Sequence, residues 1–278
     1  VMVVSLCAFV YWELAGTKTP IVDLRVLRNR SVAAGSILGL ALGTAIFGST
    51  YILPQFTQGP LGFTPTLSGL LFILRALPIM FMTPLIVRFV GRIDPRVMLG
   101  AGFILVSFGS WLQATVTNGL ANFWSFAPAL IITGVGSALL FIPLSIAVLG
   151  ATTPEEGPKA AAFINLSLQL GGSISVAALD VIIDRRWSFH SSVLGGDVTL
   201  ASPAVHAFLQ HGGTAGQLAQ VVNAQAAILA YADATMVIAV VCVLCSPLVL
   251  FMRRRSPSVA PAGAPPGAPS AAEAAVHA

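Results

Sequence analysis

The stretch from Thr66 to Val87 carries a single charge, Arg75, inside a run rich in Leu, Ile, Phe and Met. About 20 apolar residues rising 1.5 Å each cross the roughly 30 Å hydrocarbon core of a bilayer. The stretch therefore predicts a transmembrane helix. It runs into Arg88, Arg92, Asp94 and Arg96, grouped around Gly91 and Pro95. Such a basic cluster is the mark of a short cytoplasmic hairpin, because positively charged loops stay inside. This one segment removes water as the solvent of the fold and gives the chain a direction.

The rest of the sequence agrees. Hydrophobic residues make up 56% of the chain and charged residues 9%, with a mean hydropathy of +0.89. A soluble domain carries about 25% charged residues, so the composition predicts an all-α polytopic membrane protein with the lipid bilayer as its main partner. A net charge of +4 would suit nucleic acid, but the Lys and Arg residues are scattered between apolar spans. Positive-inside topology accounts for them, and no nucleic acid partner is expected. Cys7, Cys242 and Cys245 all lie in apolar runs, and the C-x-x-C pair has no other ligand type nearby. Neither a disulfide framework nor a redox or metal role is expected. No G-x-x-x-x-G-K-[ST] phosphate loop is present, so the sequence holds no machinery for ATP hydrolysis. No nucleophile with a base and no carboxylate pair with metal-like spacing points to an enzyme or a cofactor.

In chain order, residues 1–11 are apolar but too short to span, and read as the end of a helix whose beginning is missing from a fragment. Residues 12–30 are a basic, cytoplasmic connector. Residues 31–252 hold six spans: Ser31 to Leu53, Thr66 to Arg88, Val97 to Thr117, Phe123 to about Gly150, Ala160 to about Ile183, and about Gln225 to Met252. Gly35, Gly39 and Gly43 recur every fourth residue on the first span, a face on which another backbone can approach closely. Pro143 predicts a kink in the fourth span. Pro54 to Pro65 is read as an uncharged outer loop, and residues 184–224 as a long, polar, Gly-rich outer loop. His190, His206 and His211 in that loop are spaced sixteen and five apart, which is no metal-ligand pattern, so solvated loop histidines are expected. Residues 253–278, rich in Ala and Pro, read as a disordered cytoplasmic tail. Eleven of the fourteen Lys and Arg residues then fall inside, two outside and one in the membrane. The expected location is the cell (plasma) membrane, multi-pass, with a cytoplasmic C-terminus.

Several segments resemble one family. PIVDLRVLRNRSVAAG from Pro20, YILPQFTQGPLGFTPTLSGLLF from Tyr51, the Arg75 helix ending in GRIDPR, FIPLSIAVLGATTPEE and FINLSLQLGGS are similar to the drug:H+ antiporters of the major facilitator superfamily, in the fourteen-helix EmrB/QacA branch. The resemblance covers most of Pro20 to Arg255. It implies the C-terminal six-helix bundle of such a transporter, preceded by the end of an extra central helix and lacking the N-terminal bundle of the same protein. It further implies proton-coupled efflux of a hydrophobic, cationic drug. One departure is Leu168, where family members often carry an Arg before the Gln of the fifth-span motif. An importer on the same fold, and a truncated, non-transporting membrane protein, remain as alternatives.

Candidate residues follow from charge and polarity inside the spans. Arg75 sits near mid-membrane, where ionisable residues are functional by default. It is expected to face a central cavity and pair with a substrate anion or an acid of the missing half, the alternative being a structural or snorkelling role. Asn165, Gln169, Ser173 and Asp180 fall within about 80° around the fifth span, together with Gly172 and Val176. This polar stripe suits either a water-filled path or interhelical hydrogen bonds, with Asp180 read as too near the outer surface for a buried proton carrier but placed to gate entry. Asp233 is a candidate for a titrating, coupling role, but is read first as a helix cap or one half of an interfacial pair. Gln55 and Gln58 flank the outer mouth. Arg88, Arg92, Asp94 and Arg96 are expected to lock the inner hairpin and set a conformational equilibrium.

Overall fold

The computed structural model describes residues 30–89, 92–150, 152–153, 156–198, 203–211 and 214–251. The predicted first connector, the tail and the apolar start at residues 1–11 lie outside these residues. The described chain forms seven α-helices: α1 Arg30–Gln58, α2 Pro65–Phe89, α3 Pro95–Val116, α4 Ala127–Leu149, α5 Gly157–Asp197, α6 Pro203–Gln210 and α7 Ala215–Cys245. A 3-10 turn, Phe123–Phe126, leads into α4, and another, Ser246–Phe251, follows α7. Among the described residues six helices are long and apolar enough to cross a membrane, counting Phe123–Leu149 and Ala215–Val249 as continuous spans.

Of the three glycines predicted to admit a close backbone, Gly43 does so, Gly35 meets the Val148 side chain of α4, and Gly39 makes ordinary contacts with Ser167 and Ile164. α1 packs mainly on α5, and a Cβ on Gly43 would run into the Leu168 carbonyl oxygen of α5. The reciprocal contact puts Gly171 of α5 against the backbone of Leu40. Small residues on both helices thus bring the two backbones together, the main device for helix association where lipid removes any hydrophobic drive. α3 lies between α4 and α7. Gly102, Gly109 and Gly136 serve the α3–α4 contact in the same way, and the Ser107 hydroxyl donates to the Ala239 carbonyl of α7 at 2.8 Å. α2 leans on α4 through one narrow stripe, with Ser68, Leu71, Arg75 and Ile86 buried. Most of the remaining α2 surface, including Ile73, Met80 and Phe81, is open.

Helix ends follow local chemistry. Asp94 caps α3, its Oδ1 accepting from the Arg96 N–H at 3.1 Å. Thr214 and Gln217 form a capping box at the start of α7, satisfying two otherwise unpaired donors. Gly62, at φ 65°, turns the chain between α1 and α2, a backbone region that favours glycine.

Two boundaries differ from the sequence reading. α1 continues through Pro54 to Gln58, so the outer loop shortens to 59–64. A proline removes only one helix bond, and spans tolerate the loss. The larger difference lies in residues 184–224, expected as a loop. α5 runs on to Asp197, α6 occupies Pro203–Gln210, and α7 already begins at Ala215. No Gly or Pro interrupts the chain from Asp184 to Leu194, so nothing breaks the helix before Gly195 and Gly196. At 41 residues α5 is about 60 Å long, twice the hydrocarbon thickness. Pro143 lies within an unbroken α4.

Candidate functional site

The polar stripe of α5 opens on a cavity of about 450 Å³. Gln169, Gly172, Ser173, Val176, Ala177 and Asp180 form one wall, and Phe47 and Tyr51 of α1 form the other. The spacing of three and four residues puts the α5 set on one face. Gly172 is needed there, since any side chain would strike the Phe47 ring. Tyr51 donates its hydroxyl to Asp180 Oδ1 at 2.5 Å, and this short charge-assisted bond ties α1 to α5. The Ser173 hydroxyl donates to the Gln169 carbonyl at 2.8 Å. Asn165 stands one turn away, exposed, its Nδ2 donating to the Ala161 carbonyl at 3.1 Å. It does not line the cavity.

A second, more polar hollow of about 420 Å³ lies at the end of α1, lined by Pro54, Gln55, Gln58, Gly59 and Tyr231. The Tyr231 hydroxyl donates to Gln55 Oε1 at 3.3 Å. Gln55 and Gln58 thus flank an opening, as their sequence position suggested.

Arg75 is placed differently from the cavity-facing expectation. It is 7% exposed, on the α2 stripe that meets α4, where its own carbonyl lies against Gly134. It does not line the Asp180 cavity. Among the described residues its guanidinium meets no hydrogen-bond or ion-pair partner.

At the opposite end of α2, Arg88, Arg92 and Asp94 are exposed and Arg96 is half-buried. These residues form no ion pair with one another. Asp94 is engaged in capping α3, and the turn closes through backbone bonds from Arg92 and Ile93 to the Phe89 carbonyl.

Asp233 is half of an interfacial pair between α7 and α5. Its Oδ2 lies 3.1 Å from Arg186 Nε and 2.8 Å from His190 Nε2. His190 is therefore not a solvated loop residue: it sits on α5, held against α7. Arg186 also lies over the Phe189 ring at 5.9 Å. Asp233→Asn is expected to loosen the projecting ends of α5 and α7. The charges are partly exposed, so the stability loss should stay within about 1 kcal/mol. Hydrogen exchange should rise across residues 186–197 and remain unchanged in α3.

Sequence reasoning missed Phe47, Tyr51, Tyr231, Arg186 and His190. One signal was available: Phe47, Tyr51 and Gln55 recur every fourth residue and mark one face of α1. The cross-helix partners of Asp180 and Asp233 had no such signal.

Six membrane-length helices packed through small residues, with a polar stripe open on one side, define a multi-pass membrane protein. The chain belongs to the Major Facilitator Superfamily, whose model matches residues 35–276. It is 28% identical over 216 residues to the fatty acid resistance protein FarB of Neisseria gonorrhoeae, covering 75% of this chain and 41% of that protein. It is 28% identical over 207 residues to the multidrug export protein EmrB of Escherichia coli K12, covering 74% and 40%. A multidrug resistance protein B homolog of Mycobacterium tuberculosis H37Rv is 28% identical over 190 residues, covering 68% and 35%. The chain thus spans about two fifths of the length of these curated relatives.

Proposed function

We propose that this bundle is one half of a secondary transporter that exports hydrophobic, cationic compounds in exchange for protons. The observation that carries the reading is the Asp180 carboxylate beside a 450 Å³ cavity walled by Phe47 and Tyr51. An anion next to aromatic faces suits a lipophilic cation, since the ring quadrupole and the carboxylate attract the same charge. The same carboxylate can take up a proton once the cation has left, which supplies the competition that antiport requires. The name of one relative, the multidrug export protein EmrB, supports the direction. The other bundle would cover the open surfaces of α2 and α5, closing the cavity and allowing alternating access. The basic helix ends then face the cytoplasm, the C-terminus with them, in the plasma membrane.

The test uses a transporter of full family length that contains this chain, assayed for ethidium transport and proton flux in everted vesicles. Asp180→Asn should lower ethidium transport at least tenfold and abolish ethidium-driven proton release. Asp180→Glu should retain part of both. Normal proton-coupled transport by a well-expressed Asp180→Asn protein would remove Asp180 from the mechanism and the reading with it.

A further inference from the structure

The α2–α3 turn holds three arginines that the transport reading does not use. Arg88 is in the last turn of α2, Arg92 in the turn itself and Arg96 in the first turn of α3. The acid among them, Asp94, is occupied at the N-terminus of α3. None of the three arginines has a carboxylate within ion-pair distance among the described residues. Among the described residues the buried Arg96 Nε meets no hydrogen-bond partner, so a donor without an acceptor among them sits at the base of the cluster.

The surroundings fix the level of the cluster in the membrane. By length and composition one span ends at Phe89 and the next begins at Pro95, so a turn between two spans belongs at a membrane surface, where hydrocarbon gives way to headgroups. Exposed apolar side chains alternate with them: Val87 is 60% exposed, Ile93 40% and Val97 64%. A freely solvated turn has no reason to present such residues, whereas a surface in contact with acyl chains does. A planar guanidinium with several donors matches a phosphate better than a point charge would. Basic residues just outside a span are drawn to anionic lipid.

We propose that the α2–α3 turn is a binding site for the phosphate of an anionic phospholipid, with Arg88, Arg92 and Arg96 on the headgroup and Val87, Ile93 and Val97 against its acyl chains. The site needs only the membrane setting of these helices and is independent of what is transported.

The test titrates the purified 278-residue chain, in neutral detergent, with phosphatidylglycerol or phosphatidylcholine and counts bound lipid by native mass spectrometry. The chain should prefer phosphatidylglycerol. Replacing all three arginines by glutamine (R88Q/R92Q/R96Q) should weaken that preference by roughly fivefold per arginine removed. R88K/R92K/R96K keeps the charge but not the planar fork and should keep only part of the binding, so a glutamine variant that fails to fold leaves the lysine variant and single R92Q as the test. R253Q/R254Q/R255Q should leave the preference unchanged, and millimolar inorganic phosphate should not displace the lipid. Equal binding of both lipids, loss of preference in the tail variant alone, retention by a folded glutamine variant, or displacement by inorganic phosphate would each overturn the proposal.

Discussion

Alanine at Gly43 or Gly171 is expected to force α1 and α5 apart. The added methyl at 43 would overlap the Leu168 carbonyl oxygen, and at 171 it would overlap the Leu40 backbone. Neither obstacle is a side chain that can rotate away. Overpacking a core usually costs about 1–3 kcal/mol, and contacts with rigid backbone should put these variants at or above the upper end. Thermal unfolding in detergent measures the loss. Gly69 and Gly100 are the controls, since a Cβ at either position meets nothing within 4 Å. Alanine there should leave stability unchanged or raise it by up to about 1 kcal/mol through helix propensity. If all four variants unfold alike, the α1–α5 contact is looser than described.

Replacing Arg75 by methionine should have opposite effects on stability and on transport. A buried charge without a partner is costly, and apolar residues of similar volume commonly stabilise such sites by roughly 1–4 kcal/mol. Arg75→Met should therefore raise the unfolding temperature of the chain. In a full-length transporter the same change should reduce transport at least tenfold if the guanidinium takes its partner from a substrate or an acid of the other half. Arg75→Lys keeps the charge but not the multi-donor plane, and partial activity is expected. Unchanged transport by a stabilised Arg75→Met protein would make the arginine dispensable. A destabilised variant would mean that the guanidinium holds α2 against α4.

How far the sequence could be read depended on the range of the interaction. Membrane setting, all-helical class and the number of spans follow from uninterrupted apolar runs, since every backbone polar group in hydrocarbon must be bonded within its own helix. The α1 glycine face was legible for a similar reason: a four-residue repeat is local, and it states that some backbone will come close. The α5 stripe was legible as a stripe. Its neighbours were not, because periodicity places side chains around one helix and says nothing of which helix lies opposite.

Tertiary structure decided the rest. It set Tyr51 on Asp180 and His190 on Asp233, pairs separated by 129 and 43 residues. It buried Arg75 on the α2–α4 side, away from the Asp180 cavity, although its charge and depth were plain from the sequence. It also carried α5 beyond the apolar run to Asp197. Hydropathy marks where the membrane ends, whereas a helix ends where backbone chemistry stops it, and here glycine does so more than ten residues later. The sequence by itself determined the solvent, the secondary structure that solvent permits and the faces available for packing. The choice among those faces rests on contacts between residues far apart in the chain, which no local pattern encodes.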